Sequence, residues 1–507
     1  MTIEQLYEIY LQHPVVTTDS RNCPEGSIFF ALKGDNFNGN RFAAAALEQG
    51  CAYAVVDEES EELGVRSEEL GERSEELGVR SEELGERSEE LGVRSEELGE
   101  RIIRVDDVLT TLQQLAHFHR RHFRGPVLQI TGTNGKTTTK ELVSTVLAQK
   151  YNVLFTQGNL NNHIGVPRTL LRLTDDHDIA VIETGANHPG EIKALADIVD
   201  PDCGLITNVG VAHIEGFGSF EGVVKTKGEL YDYLRSRETP SYSPKGGGLA
   251  PCDSVRGVLY AKPFIFLNAD NEYLRNIAHD LPAVSYGSMG HACDVEGEVV
   301  ECAPFLKLRW RSKLNAQASN PQEVQTHLIG AYNIDNALAA VSVGLHFGVE
   351  PEQINAALAG YVPTNNRSEM RKTERNILIV DAYNANPSSM AAALQNFALM
   401  QAPEGMRKML ILGEMRELGD ISEKEHARVV EKIKCESSKV REFEGSGISA
   451  EDVWLVGENF QRLNPPFPTF KDVEEVKARL GEAHVENRLI LIKGSNGTRL
   501  FQLPDCL

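Results

Sequence analysis

The chain has 507 residues and a formal net charge of −23; that length exceeds what one hydrophobic core organises, so three domains are expected, and the acid excess excludes nonspecific nucleic-acid binding, which needs clustered Lys and Arg. No apolar run reaches the roughly 20 residues of a membrane span, and the start MTIEQLYEIYLQHP has no basic region followed by an apolar stretch. The eight cysteines (Cys23, Cys51, Cys203, Cys252, Cys293, Cys302, Cys435, Cys506) form no C-x-x-C pair, so a cytoplasmic chain with reduced thiols and no membrane insertion is expected.

Up to about residue 124, GSIFFALKG reads as a strand ending in a glycine turn and CAYAVVD as a second strand. Residues 60–101 are six consecutive heptads, alternating SEELGVR and SEELGER; three units of −1 and three of −2 give the array −9 of the net charge. A coiled-coil seam needs two apolar positions per heptad. Each unit offers one Leu, a Val only in alternate units, and a helix-weakening Gly, so the array is expected to be a solvated insertion with no part in catalysis.

After Gly125 strands and helices alternate: VLQIT, IAVIETG, CGLITNVG and FIFLNAD are strand-like, with helical stretches at 136–149 and 221–235 between them. This pattern predicts a parallel sheet with helices on both faces. SRETPSYSPKGGGLAPCDSVRG (236–257) reads as a surface insertion or long loop. Past YVPTNNR the pattern restarts with NILIVDAYNANP, KMLILGEM, DVWLVGEN and RLILIKGSN, a second nucleotide-fold-like domain.

The stretch LQITGTNGKTTTKE (128–141) joins a buried strand through a glycine loop to a helix start. Such a turn aims several N–H groups and the positive end of the helix dipole at one spot, which suits a phosphate. Lys136 adds a movable cation and Thr137 a hydroxyl that can ligate magnesium. The usual G-x-x-x-x-G-K-[ST] pattern is shortened here, its first glycine falling at Ile130. Glu183 closes the strand IAVIETG, and strand C-terminal ends face the ligand crevice of an open α/β sheet. His213 falls at a similar strand end and Lys227 in the helix EGVVKTKGEL. Singly, these are a surface carboxylate or cap, a satisfied loop histidine and a surface lysine.

Taken together with TGTNGKTT, GNLNNHIGVPRTLL, GAYNIDNALAA and DAYNANPSSM, they resemble the Mur ligase family of ATP-dependent amide-bond-forming enzymes, over nearly the whole chain apart from the insertions. The resemblance implies an α/β chain of three domains: a small N-terminal α/β UDP-binding domain (1–124), a central P-loop-type parallel-sheet ATPase domain (125–362) and a C-terminal Rossmann-like α/β domain (363–507). It is strongest to the family's dipeptide-adding member, and so implies joining of D-Ala-D-Ala to UDP-N-acetylmuramoyl-tripeptide through an acyl phosphate, in cytoplasmic peptidoglycan precursor synthesis, by a monomer. Gly132, Thr133, Asn134, Gly135, Lys136, Thr137 and Thr138 would hold the ATP phosphates. Thr137 would take a first Mg²⁺, with Glu183 bridging to a second ion ligated by His213 and by a carbamylated Lys227. Asn333 and Asn336 would contact adenine, Arg367 would reach the phosphates, Asp381 would hold the ribose, and Asn384 would also bind the nucleotide. Asp19, Ser20, Arg21, Lys33 and Gly34 match the segment for the UDP end, Asn159, Asn161 and Asn162 the region facing the muramoyl-peptide, and Lys493 and Ser495 elements near the dipeptide. Another Mur-type or folylpolyglutamate-type ligase would share the ATP machinery; a noncatalytic nucleotide-dependent scaffold would have no need of these residues together.

Overall fold

A computed structural model describes residues 1–34, 36–58, 99–211, 214–237, 262–364, 366–439 and 448–507, with backbone only for 435–439. His213, heptad residues 60–98 and residues 238–257 of the second insertion lie outside the described residues. The chain forms two compact units, one of Met1–Arg124, Asn159–His177 and Asp197–Asp200, the other of Gly125–Gly158, Asp178–Ala196 and Pro201–Leu507. Among the described residues no helix is long and apolar enough to cross a membrane.

The first unit is built on a four-stranded sheet in the order Val16–Thr17, Ile28–Phe30, Tyr53–Val56, Ile102–Arg104, every neighbouring pair parallel. Ile28, Phe29 and Phe30 are all buried, as strands covered on both faces require. The helix Val108–His122 ties the later segments to this unit: His119 Nε2 lies 2.9 Å from Leu173 O, and Arg120 donates to Val199 O at 3.1 Å and Asp200 O at 2.9 Å.

Arg101, the last residue of the heptad array, is not part of a solvated insertion: its guanidinium donates to the carbonyls of Ala52 (2.9 Å), Leu47 (3.3 Å) and Cys51, and its own carbonyl accepts the Ala54 N–H at 3.0 Å. The strands it separates, Tyr53–Val56 and Ile102–Arg104, are parallel neighbours. Parallel neighbours need a crossover of roughly a dozen residues, so part of the array's length is required by the sheet.

In the second unit a nine-stranded sheet runs Gln322–Ile329, Phe305–Ser312, Val295–Cys302, Ala283–Ser288, Phe264–Asn268, Cys203–Ile206, Val127–Thr131, Ile179–Glu183, Val153–Phe155. Its first three strands pair antiparallel with one another and the rest are parallel. The helices Lys136–Leu147 and Ile334–His346 pack with Leu128, Phe264 and Phe266 into one core, while Ile265 joins Val223, Leu230 and Leu274 in another. Alternate residues of one strand thus enter different cores, so both faces are covered. The antiparallel edge departs from the all-parallel expectation because Cys302 and Phe305 are joined by a tight turn, and Ser312 and Gln322 by a short link holding only the 3-10 helix Ala316–Ser319, neither long enough to carry a crossover.

A six-stranded sheet follows in the order Glu369–Lys372, Ile377–Asp381, Arg488–Lys493, Arg407–Gly413, Val453–Val456, Thr469–Phe470, parallel except for its first pair. Apolar clusters lie on both of its faces.

Candidate active site

Strand register assembles the site. Ile130 pairs with Glu183 and Thr131 with Ile206, so the loop after Thr131, the carboxylate of Glu183 and the turn at 207–210 come to one sheet edge. Gly132 has φ 140°, and a Cβ there would collide with Thr207 Oγ1. Gly135, at φ 77°, opens the helix Lys136–Leu147 with no side-chain cap. Two of the loop's N–H groups are already engaged, Thr133 N–H with Asn208 O and Asn134 N–H with Asn208 Oδ1, both at 3.0 Å. The anion-facing donors are therefore those of the helix's first turn, which no intrahelical carbonyl reaches.

Lys136 folds onto its own loop, its ammonium 2.8 Å from Gly132 O and 3.1 Å from Thr133 O. Burial lowers its pKa to about 8, Glu183 opposing the shift and Arg367 adding to it. Arg367 itself stacks on Tyr383, 3.9 Å from the ring centroid. The Thr137 hydroxyl donates to Glu183 Oε1 at 3.1 Å, and both side chains are buried. Glu183 is held from behind: its N–H donates to Thr156 Oγ1 (2.9 Å), and the buried ammonium of Lys140 donates to Thr156 O (2.7 Å). Lys227 is buried with its Nζ 3.5 Å from Ala186 O and over the Phe217 ring. Burial first, and the charge of Lys136 second, lower its pKa to about 7.

Asn333 and Asn336 are engaged within the fold: Thr139 donates to Asn336 Oδ1 (2.9 Å), Asn336 Nδ2 to Asn333 Oδ1 (2.8 Å), and Asn333 Nδ2 to Ile329 O (2.8 Å). Asp381 and Lys493 stand side by side at one strand end and pair at 2.6 Å, and Lys493 also reaches the carbonyl of exposed Asn384 at 3.5 Å. Ser495 Oγ accepts the Arg416 N–H at 3.1 Å. Asn386 and Ser388, which sequence reasoning passed over within DAYNANPSSM, reach the phosphate loop: Asn386 Nδ2 donates to Asn134 Oδ1 (2.7 Å) and Asn134 Nδ2 to Ser388 Oγ (2.8 Å). No spacing signals such a contact.

In the other unit, Arg21 clasps Asp19 through two 2.9 Å bonds; these, with a smaller push from Arg168, hold the exposed Asp19 carboxyl at about 2. Ser20 sits in the same turn. Lys33 pairs with Asp57 (2.9 Å) and Glu58 (2.7 Å) beside exposed Gly34. Asn162 Oδ1 accepts the Ile164 and Gly165 N–H groups just before the helix Gly165–Leu170, and Asn161 N–H donates to Asn159 O.

Residues 14–120 match the model for the Mur ligase family, catalytic domain; 130–241 the Mur ligase middle domain; and 366–496 the Mur ligase, glutamate ligase domain. The chain is 33% identical over 413 residues to the UDP-N-acetylmuramoyl-tripeptide--D-alanyl-D-alanine ligase of Bacillus subtilis (strain 168), covering 81% of this chain and 75% of that protein. It is 32% identical over 421 residues to the ligase of the same name from Escherichia coli (strain K12), covering 83% and 78%. A crystal structure of MurF from Acinetobacter baumannii superposes with a TM-score of 0.73 at 26% identity, covering 99% of this chain and 98% of the other. The three successive domain matches and this superposition give the α/β architecture as a three-domain one.

Proposed function

Because the chain belongs to the Mur ligase family, we propose that it joins D-alanyl-D-alanine to UDP-N-acetylmuramoyl-tripeptide at the expense of ATP, as a cytoplasmic monomer in peptidoglycan precursor synthesis. It is an enzyme, an ATP-dependent ligase that forms a C–N bond. The observation that carries the choice of substrates is identity of 33% and 32% to two ligases of that name over about four fifths of the chain.

A carboxylate is a poor electrophile. The tripeptide's terminal carboxylate therefore attacks the γ-phosphate of ATP, ADP leaves, and the resulting acyl phosphate is attacked by the dipeptide's amine with loss of phosphate. Two anions must approach in the first step. The N–H groups at the start of the helix Lys136–Leu147, the Lys136 ammonium and the Arg367 guanidinium meet that charge. Asn336 and Asn333, joined to each other and to Thr139 of the helix, contact adenine, while Asp381 takes the ribose and Asn384 also binds the nucleotide. Asp19, Ser20, Arg21, Lys33 and Gly34 receive the UDP end, Asn159, Asn161 and Asn162 the muramoyl-peptide, and Lys493 and Ser495 the dipeptide side.

Thr137 and Glu183 offer hard oxygen donors 3.1 Å apart in a buried setting, a donor set that fits Mg²⁺ completed by phosphate oxygens and water. They would hold one ion, and His213 with Lys227 would serve a second; when bound, the metal offsets phosphate charge. An ammonium at Lys227 does not fit that role. The neutral amine adds to CO₂, forming an N–C bond and releasing one proton, and the carbamate so formed supplies an anionic oxygen; the lowered pKa favours the neutral amine. The test is mass spectrometry of the nucleotide product after incubation with ATP, magnesium, UDP-MurNAc-tripeptide and D-Ala-D-Ala. A UDP-MurNAc-pentapeptide with stoichiometric ADP is expected, and ADP without the pentapeptide would refute the reading.

A further inference from the structure

His426 belongs to none of the groups above, yet it is fully buried in the helix Ser422–Lys439. Its ring is held from both sides. Nε2 lies 3.0 Å from the Met415 backbone nitrogen, and Nδ1 lies 2.7 Å from Ser422 O and 3.3 Å from its hydroxyl. A backbone N–H only donates and a carbonyl only accepts, so the ring proton sits on Nδ1 and the imidazole is neutral. Imidazolium would set a second N–H against that of Met415. The charged groups facing the ring are Glu414 and Glu425, the latter paired with Arg428, and the Phe460 ring meets it at a near-right angle. Burial, the largest influence, holds the ring below the usual imidazole pKa.

Met415 lies in the loop that leaves the strand Arg407–Gly413, and this loop is what the histidine fixes. Ser495 N–H donates to Glu414 O (3.3 Å), Arg416 N–H to Ser495 Oγ (3.1 Å), Arg416 Nη2 to Gly497 O (3.3 Å), and Asn459 Nδ2 to Glu414 Oε2 (3.0 Å). The Arg416 side chain, 56% exposed, stands 3.8 Å from the Glu414 carboxylate. An exposed cation and a carboxylate that is 16% exposed thus share one braced loop, which suits a small zwitterion carrying an ammonium and a carboxylate.

We propose that His426 is a positioning residue for the incoming dipeptide: by accepting the Met415 N–H it fixes the loop on which Glu414 and Arg416 receive that zwitterion. The inference rests on the ligase reading above. Its test is steady-state kinetics of the full-length enzyme and two variants, with UDP-MurNAc-tripeptide saturating and ATP and D-Ala-D-Ala varied in turn. In His426→Gln the amide oxygen falls near the place of Nε2 and can accept the N–H without titrating, so the dipeptide KM stays within about threefold of wild type near neutral pH. His426→Leu strands the buried N–H and raises the dipeptide KM about tenfold or more, with the ATP KM within about twofold. In the wild type the dipeptide KM climbs below the ordinary imidazole range as the ring takes its proton, and in His426→Gln that climb is missing. Equal rises of both KM values in His426→Leu, or the same acid climb in His426→Gln, overturn the proposal; if His426→Leu does not fold, the His426→Gln profile decides alone. No turnover of D-Ala-D-Ala by the wild type would instead overturn the ligase reading, and this proposal with it.

Discussion

Lys227 is a lysine that the fold holds against its usual charge. Its pKa falls from 10.5 to about 7, so across that interval the unfolded chain binds a proton that the folded chain lacks, and stability of the nucleotide-free protein rises with pH from about 7 to 10.5. Replacing it with Met removes the buried ammonium, and thermal melts should show Tm raised by about 2 °C or more near pH 7 and a flatter pH dependence. Catalysis moves the other way. Lys227→Ala should lose about 100-fold or more in phosphate release, with partial rescue by acetate; near-normal turnover would contradict the carbamate. In the sequence this lysine could be singled out only by its company in KTKGEL, because neither the Phe217 ring nor the Ala186 carbonyl that surrounds it is signalled by spacing. Lys33 shows the same limit: its two carboxylate partners lie on a neighbouring strand's exit, where no local pattern announces them.

The strand, loop and helix from Val127 to Leu147 form the element on which the chemistry turns. Its anchoring by Asn386 and Ser388 can be dissected. Asn386 also caps the helix Pro387–Leu399 through Ser389 N–H at 2.9 Å, so Asn386→Ala should cost about 1 kcal/mol of stability and also raise the ATP KM. Ser388→Ala removes the bond from Asn134 and the hydroxyl's own 2.9 Å donation to Asn386 Oδ1, and should raise the ATP KM about fivefold with a smaller loss of stability than Asn386→Ala. If Ser388→Ala leaves the ATP KM alone, the contact does not brace the loop. At Gly132 any side chain meets Thr207, and Gly132→Ala should abolish ATP-dependent phosphate release in a chain that melts at lower temperature. This element was legible beforehand because an apolar run, glycines and a helix start lie next to each other in VLQITGTNGK. The antiparallel strands of 295–329 were not: Phe305–Ser312 and Gln322–Ile329 alternate buried with more exposed residues, Val295–Cys302 is buried only over its first three, and none gives a long apolar run. The Asn134 contacts were hidden for another reason, more than 250 residues separating the partners in sequence.

At the scale of the whole molecule, the heptad array looked uniform, six near-identical units, and nothing in it distinguished the one whose Arg is built into the first unit. The parallel pairing of Tyr53–Val56 with Ile102–Arg104 sets a lower limit on its length. Deleting Ser60–Arg87 keeps Arg101 and a connection longer than the roughly dozen residues a crossover needs, and activity within about threefold of wild type is expected, since the deleted heptads carry too few apolar positions to pack into a core. Deleting Ser60–Arg101 leaves too little chain for the crossover, and the protein should lose its N-terminal unit, seen as early proteolysis of that region. The alternation of strands and helices announced the parallel sheets, and the Mur ligase motifs announced their division and the dipeptide as the incoming amine, a choice that the matched relatives support. The most direct measurement is ATP-dependent phosphate release with UDP-MurNAc-tripeptide while the amine is changed among D-Ala-D-Ala, D-Glu, L-Ala and L-Lys. Turnover with D-Ala-D-Ala and none above background with the three single amino acids is predicted; equal turnover with any one of them would contradict it.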